Sequence, residues 1–179
     1  DLMNKILDKL NDIEKNKKIK AVTIFANGNN FCAGHDLKEL KMDKSEERFK
    51  HLFELCSKLM LKIVKLPKPV IAGVQGIATA AGCQLVASCD LALAADNAKF
   101  ATPGVNIGLF CSTPMVAVSR NVNRKQTMEM LLLGEFVTPS KAREIGLINK
   151  VVPNENLKQE TMKIAQIIAS KSPSTVTIG

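Results

Sequence analysis

The fold is decided by Gln-Gly-Ile-Ala-Thr-Ala-Ala-Gly-Cys-Gln-Leu-Val-Ala-Ser-Cys-Asp, residues 75–90. A strand-like run, residues 69–74, leads into a turn of small side chains, and an apolar helix is predicted to begin near Ala81. Small residues let another molecule approach the backbone closely. The N–H groups of a helix's first turn, with the positive end of its dipole, suit an anion or an oxygen that gains negative charge.

A second turn of similar character lies upstream, at Phe-Cys-Ala-Gly-His-Asp-Leu-Lys, residues 31–38. It follows another strand-like run, residues 21–26, and Asp36 with Glu39 three residues later predicts a capping box for a short helix. The chain therefore holds two strand–turn–helix units, each of which offers a backbone N–H. Two such donors are what an oxyanion hole requires.

Strands and helices alternate along the rest of the chain, which predicts a layered α/β fold with largely parallel strand pairing. A long helix is predicted over residues 45–66, ended by Pro67, with Phe49, Phe53, Cys56, Leu59 or Met60, and Ile63 on its core side. An amphipathic helix is predicted from the helical spacing of Leu2, Ile6, Leu10 and Ile13. The other predicted helices cover residues 115–121, 125–133, 138–146 and 155–170. Further strands are predicted at 70–74, 91–95 and 148–152, a short extended piece at 100–102, and a loop over 104–114.

Composition sets the class of protein. The chain has 179 residues, 46% of them hydrophobic, which fits one globular domain over residues 1–179. No apolar run is long enough to span a bilayer. Five cysteines without a C-x-x-C pair argue against a disulfide framework or a zinc site and fit a reducing compartment such as the mitochondrial matrix or cytosol.

The charge balance is strongly basic, with a net charge of +8 and a pI of about 9.3. Such a balance suits anionic partners, among them the phosphates of a nucleotide cofactor or nucleic acid. The alternative is a set of solvated helix faces: the four lysines within residues 15–20 lie at a predicted helix end, where cations favour the dipole.

The chain resembles the crotonase (enoyl-CoA hydratase/isomerase) family. The resemblance rests on both turns and on runs that follow in the same register, namely residues 89–94, 100–108, 133–135, 142–148 and 151–153. It implies an α/β spiral of ββα units. Relative to the family, a first strand before residue 1 and C-terminal helices after Gly179 are absent, so we expect a partial chain. The missing helices cover the site and knit a homotrimer or a dimer of trimers, and the targeting segment for the implied mitochondrial location is also expected to be missing.

The resemblance also implies the site. The backbone N–H groups of His35 and Ala81 would hold the thioester oxygen of an acyl-CoA, with Ala81 standing where glycine is usual. Lys38 would contact coenzyme A phosphate, or be an ordinary surface lysine. The adenine pocket would be edged by Leu37 and the backbone of Cys32 and Ala33, and the acyl pocket would include Gly82 and Phe110. Neither a metal nor a separate cofactor is implied.

Three positions at which relatives carry acids are neutral here: Gln84, Gly104 and Ser112. A neutral amide or hydroxyl orients water but does not accept a proton at pH 7. Losing one general base typically costs about 10² to 10⁴ in rate. We therefore expect weak or altered activity as an enoyl-CoA hydratase (a lyase) or isomerase.

Several readings remain open. The His35 imidazole could serve in acid–base chemistry, although relatives use only the main chain there. A covalent nucleophile among Cys111, Ser112 and Thr113 would need a neighbouring base, and His51 lies in a helix with no sequence reason to be close. For the whole chain, an acyl-CoA enzyme of fatty-acid metabolism, a non-catalytic acyl-CoA-binding or regulatory protein, and an RNA-binding relative are the candidates. RNA binding ranks last because 4% aromatics leave little capacity for base stacking.

Overall fold

The computed structural model describes residues 2–42 and 45–179. In this part of the chain the helices are α1 (Leu2–Lys15), α2 (Leu37–Met42), α3 (Glu46–Lys65), α4 (Ala81–Ser88), α5 (Ser112–Val118), α6 (Arg124–Leu133), α7 (Pro139–Glu144), α8 (Leu157–Ala169) and α9 (Pro173–Ile178). The strands are β1 (Val22–Ile24), β2 (Val70–Val74), β3 (Ile77–Thr79), β4 (Leu91–Ala95), β5 (Lys99–Ala101) and β6 (Lys150–Val152). Short 3₁₀ helices occupy Pro103–Ile107 and Asn154–Asn156.

The strands form two parallel sheets, and successive strands along the chain belong to one sheet or the other. The larger sheet has the order β1-β2-β4-β6, and the smaller sheet pairs β3 with β5. A bridge between Cys32 and Ala78 adds the segment after β1 to the smaller sheet. The first three passes of the chain each give one strand to the larger sheet, one strand or bridge to the smaller sheet, and then helical structure. The fourth pass gives β6 to the larger sheet and continues into α8. This repetition confirms the predicted α/β spiral of ββα units.

The larger sheet separates two apolar clusters, because successive side chains of a strand point to opposite faces. Val70, Ala72 and Val74 face the main core, which α1, α3 and α4 complete. Ile71, on the opposite face, packs with Leu93 against α8. Burial on both faces explains why β2 reads as a continuous apolar run rather than an alternating one.

Helix ends follow the expected chemistry. The Ser45 side chain accepts the Arg48 N–H at the start of α3, and Thr138 accepts the Lys141 N–H ahead of α7. Gly134 ends α6 with a φ of 64°, a left-handed conformation that glycine adopts without steric cost. The capping box at Asp36 forms only in part: its carboxylate accepts the Lys38 N–H at 2.8 Å rather than the N–H of Glu39.

Three expectations need correction. Phe53 is 42% exposed instead of lying in the core, whereas Cys56, Leu59, Met60 and Ile63 are buried as predicted. The predicted loop over 104–114 contains a 3₁₀ helix and the start of α5. The strands β1 and β6 are shorter than their apolar runs, because only residues with a neighbouring strand to bond can extend a ladder.

Candidate functional site

The first turn, residues 31–35, is held in place by the smaller sheet. The N–H groups of Phe31 and Cys32 both donate to the Ile77 carbonyl, at 3.0 and 2.9 Å. The Cys32 carbonyl accepts the Thr79 N–H at 2.9 Å, and the Thr79 hydroxyl donates to the Ala33 carbonyl at 3.1 Å. Gly34 then turns the chain with a φ of 96°, which is costly for any residue with a β-carbon.

The second turn lies between β3 and α4. Ala80 has a φ of 50° and a ψ of −118°, the one positive φ at a non-glycine residue in the described part of the chain. Its N–H donates to the Ala101 carbonyl at 3.0 Å, and its own carbonyl accepts the Gln84 N–H at 3.0 Å. Ala81 is the first residue of α4, so its N–H belongs to the helix end that lacks internal acceptors. Strain of this kind persists only where surrounding contacts enforce it.

The structure brings the two turns into direct contact. A β-carbon added to Gly34 would lie 3.1 Å from the Ala80 Cβ and 3.5 Å from the Ala81 nitrogen. Within the described residues, neither the His35 N–H nor the Ala81 N–H donates to another protein group. Both N–H groups therefore lack a protein acceptor in that part of the chain, in two turns that touch each other.

His35 and Ala81 both line a cavity of about 700 Å³, which we call the donor cavity. Its walls come from α1, α2, α3 and α4, with Leu55, Leu59 and Leu85 supplying apolar surface. His51 of α3 also lines it. No local pattern predicts His51 in this cavity, because only the packing of α3 over the two turns brings it close.

The His35 side chain is held against Phe53. The two rings are 5.8 Å apart and meet edge-on at 87°. Burial lowers the pKa of His35 from its ordinary value of 6.5, so the imidazole is neutral at pH 7. This contact also explains why Phe53 points away from the core.

Gln84 is buried, with 6% of its surface exposed, and its Oε1 atom accepts no hydrogen bond from any residue that the structure describes. The residue lines a second cavity of about 480 Å³ between α3, α4 and α5, which we call the Gln84 cavity. Met60 lines both this cavity and the donor cavity. Gln84 is not among the described residues that line the donor cavity, so the structure does not place its amide in one cavity with His35 and Ala81.

Gly104 is tightly enclosed. Its N–H donates to the Cys111 sulfur at 3.3 Å, and an added β-carbon would lie 3.0 Å from both that sulfur and the Leu109 carbonyl oxygen. The loop that follows Gly104 therefore fills the space into which a longer side chain would extend. Ser112, the third position, begins α5 and is exposed.

Among the residues predicted to contact coenzyme A, Lys38 and Leu37 are exposed at the start of α2, next to the first turn. Cys32 lines the donor cavity, and its backbone N–H and carbonyl are both engaged by the smaller sheet. Ala33 is exposed, and its carbonyl accepts the Thr79 hydroxyl. A ligand would accordingly contact Cys32 by van der Waals packing, because its backbone N–H already donates to the Ile77 carbonyl.

The two residues predicted for an acyl pocket lie outside the donor cavity. Gly82 is buried against the main chain of Cys32, and Phe110 is 44% exposed. Neither contributes to the walls of the Gln84 cavity. Their role in an acyl pocket stays a prediction.

The thiols are poorly suited to covalent chemistry. All five cysteines are free, and burial raises the pKa of Cys83 and of Cys89 to about 12. Burial also raises the pKa of Cys111, an effect that the Gly104 N–H partly opposes. Because the thiolate is the nucleophile, a thiol that holds its proton at pH 7 is unreactive.

Two further features concern metals and membranes. Residues 2–42 and 45–179 contain no group of three or more His, Cys, Asp or Glu side chains placed to hold a metal ion. None of the helices described in them combines the length and apolar character needed to cross a membrane.

Comparison with known proteins identifies the group to which these features correspond. The family model described as enoyl-CoA hydratase/isomerase matches residues 1–178. The human mitochondrial enoyl-CoA hydratase domain-containing protein 3 is 51% identical over 172 residues, which cover 96% of this chain and 56% of the relative. Its counterpart from Xenopus laevis is 53% identical over 161 residues, 90% of this chain and 55% of the relative. The chain thus spans a little over half the length of these relatives.

Solved structures agree in fold. An enoyl-CoA hydratase of Mycobacterium smegmatis superposes with a TM-score of 0.96 at 47% identity, covering 99% of this chain and 69% of that one. The structure of the human domain-containing protein 3 gives a TM-score of 0.87 at 48% identity, with 97% and 71% covered. The sequence runs 35–40 and 109–114 predict a likeness to that mitochondrial protein, and the comparison confirms it.

Proposed function

The chain belongs to the enoyl-CoA hydratase/isomerase family, and we propose that it binds an acyl-CoA by holding the thioester oxygen between the backbone N–H groups of His35 and Ala81. The observation that carries the proposal is the contact between the two turns, which leaves both donors unused at the wall of one cavity. Fixed donors stabilise an enolate-like oxygen without reorganising, and each is typically worth about 3 kcal/mol.

We place the coenzyme over the start of α2. Lys38 is exposed there and offers an ammonium group to a phosphate, while Leu37 and Cys32 provide apolar surface beside the first turn. Leu37 is 48% exposed, and an adenine ring lying on it would remove apolar surface from water. Some relatives carry a second lysine just ahead of the first turn, and this chain has Asn29 at that position. We therefore expect fewer contacts to the coenzyme A phosphates than in those relatives.

Hydration should be weak because Gln84 and Gly104, at positions where relatives carry acids, cannot exchange a proton. The ionisable groups that line the donor cavity come from other positions of the chain, among them Asp36, Glu39, His35 and His51. Gln84 has the capacity to orient a water molecule, and its unpaired oxygen supports that role. It cannot act as a general base. At Gly104 the surrounding loop leaves no room for a carboxylate. The raised pKa of Cys111 argues against a covalent alternative.

The proposal is tested by separating binding from turnover. Calorimetry with butyryl-CoA should give a dissociation constant in the micromolar range. Crotonyl-CoA turnover should lie below that of an ordinary hydratase by a factor of about 10² or more, the typical effect of one lost general base. Absence of butyryl-CoA binding contradicts the site, and turnover within tenfold of an ordinary hydratase contradicts the account of Gln84 and Gly104.

Gln84→Glu provides the companion measurement. A carboxylate at this position would restore a proton acceptor one turn from Ala81, and burial would raise its pKa toward neutrality. We expect crotonyl-CoA hydration to rise at least tenfold, while Gln84→Leu gives no increase. A second candidate function, non-catalytic acyl-CoA binding or regulation in fatty-acid metabolism, is favoured if neither variant gains activity but both retain binding.

We extend the proposal to the setting of the protein. Relatives that carry the word mitochondrial in their names support a mitochondrial location. The family resemblance favours a homotrimer or a dimer of trimers. Light scattering of the purified protein tests the assembly, and a monomer at micromolar concentration contradicts it. RNA binding is disfavoured, since the chain has no Trp or Tyr to stack on bases.

A further inference from the structure

Four lysines from three separate segments line one cavity of about 350 Å³, which we call the lysine cavity. Lys17 and Lys20 come from the turn between α1 and β1, Lys68 from the connection between α3 and β2, and Lys171 from the chain after α8. The first of these segments belongs to the lysine-rich run of residues 15–20, which has no part in the proposed acyl-CoA site.

The lysine cavity is separate from the proposed acyl-CoA site. Its residues precede β1 and β2 and so lie at the amino ends of these parallel strands. The turns with His35 and Ala81 come after β1 and after β3, beyond the opposite ends of the strands. Its lining shares no residue with that of the donor cavity.

Lys68 is the fixed element of the cavity. Its half-buried ammonium donates to the carbonyls of Ile13 and Asn16, the latter at 2.7 Å. These carbonyls form the negative end of α1, so the ammonium offsets a charge that would repel an anion. A lysine has three N–H donors, and the third has no protein acceptor among the described residues. The segment with Thr177 is also fixed to the cavity, because the Thr177 hydroxyl donates to the Pro67 carbonyl at 3.0 Å.

The remaining lysines supply uncompensated positive charge. Lys17, Lys20 and Lys171 are exposed and take part in none of the described ion pairs. The single carboxylate in the lining, Glu14, lies 2.7 Å from the Lys62 ammonium and is thereby neutralised. The floor between the lysines is apolar, formed by Ile19, Pro67, Pro69, Ile168 and Val176.

We propose that the lysine cavity binds a small organic phosphate, with the phosphate held by Lys68 and the three exposed lysines and the organic body against the apolar floor. Charge-assisted hydrogen bonds to a doubly charged phosphate are stronger than those to neutral acceptors. The volume lies at the lower end of the range for small-molecule sites. The lining has no aromatic side chain on which the bases of a nucleic acid could stack.

The test uses phenyl phosphate and inorganic phosphate as probes in calorimetry, at low and high salt. Phenyl phosphate should bind more tightly, because its ring covers the apolar floor. Lys20→Gln with Lys171→Gln should weaken phenyl phosphate binding about tenfold, because each of these lysines is solvent-exposed and its contact is worth only a few-fold in affinity. The matched control, Lys125→Gln with Lys158→Gln, removes the same charge from exposed helical positions outside the cavity and should change the affinity less than twofold.

Each other outcome overturns the proposal. Equal loss in the two double variants means that net charge, not the cavity, attracts the probe. Equal affinity for phenyl phosphate and inorganic phosphate would mean that the apolar floor does not contact the ligand, and it contradicts the proposal. Retention by phosphatidic acid vesicles without phenyl phosphate binding assigns the surface to a membrane instead. Butyryl-CoA affinity should be unchanged in Lys20→Gln with Lys171→Gln. The phosphate proposal is thereby tested separately from the acyl-CoA site.

Discussion

The main chain of Cys32 lies so close to Gly82 that a β-carbon on residue 82 would be 2.0 Å from the Cys32 carbonyl oxygen. That carbonyl also accepts the Thr79 N–H, so it is fixed in the smaller sheet. The glycine is therefore required by contact and not by its backbone angles. This contact sets the distance between the first turn and the start of α4, and hence between the two proposed donors.

Gly82→Ala should separate the two turns. We expect a loss of stability of about 1–3 kcal/mol, as for other overpacked interiors, and at least tenfold weaker butyryl-CoA binding. Gly108→Ala serves as the control. Gly108 has a φ of 75° but no atom within 4 Å of an added β-carbon, so it carries only the backbone penalty. Thermal melts and calorimetry of both variants distinguish the effects; equal binding by the two variants contradicts the role of Gly82.

His35→Gln should change the pH dependence of stability. Burial lowers the pKa of His35 from 6.5, so the unfolded chain takes up a proton there more readily than the folded chain. The contribution of His35 is complete above about pH 6.5 and is lost as the pH falls through that value toward the folded pKa. The variant should flatten this loss in urea unfolding below about pH 6.5.

His51→Gln is the control for that experiment, since His51 is the other histidine of the chain and is exposed. The difference in pH dependence between the two variants isolates the contribution of the partly buried His35 imidazole. Butyryl-CoA affinity of His35→Gln should stay within about threefold, because the proposed donor is the main chain. A hundredfold loss of turnover at unchanged affinity would instead assign acid–base work to the imidazole.

Gln84→Met should stabilise the protein. It replaces a buried oxygen that has no hydrogen-bond donor by a group of similar length that needs none. Relief of an unsatisfied buried polar group is worth about 1–3 kcal/mol, less the cost of imperfect packing. A higher midpoint in urea, together with lower residual hydration of crotonyl-CoA, would indicate that the amide serves the ligand at the expense of stability. A lower midpoint means that the oxygen has a partner in solution.

Gly104→Ala should lower the melting temperature, since the added methyl would meet the Cys111 sulfur and the Leu109 carbonyl, each at 3.0 Å. Cys111→Ala in the same chain should recover part of the loss, because the sulfur is the movable contact. The coupling between the two changes is measured by a double-mutant cycle. Additive effects would mean that the loop moves freely and that an acid could be introduced at residue 104.

Local patterns in the sequence were sufficient for most of the fold. Helical spacing predicted α1 and α3, and the glycine after α6 marked its end. β3 was missed, because a three-residue strand depends on pairing with Lys99–Ala101 and the chain around Cys32, and no local pattern encodes that. The left-handed Ala80 carried no signal either, as alanine in a run of small residues favours a helix.

Less of the candidate site than of the fold could be predicted from the sequence. The small residues and capping signals of the two turns predicted where donors lie along the chain. The neighbours of Gln84, the enclosure of Gly104 and the presence of His51 in the donor cavity arise from packing between distant segments. Contacts between distant segments produce no periodic pattern in the sequence. They nevertheless determine the chemical role that Gln84, Gly104 and His51 can have.

The hydrogen bonds from Phe31 and Cys32 to Ile77 have a consequence for folding. They span more than 40 positions along the chain, and the turn with His35 has no local structure of its own before α2. Closing so long a loop precedes any gain from the contacts that it makes. The donor pair therefore cannot form in an early, locally ordered intermediate, and recovery of acyl-CoA affinity after refolding should lag behind recovery of helical signal.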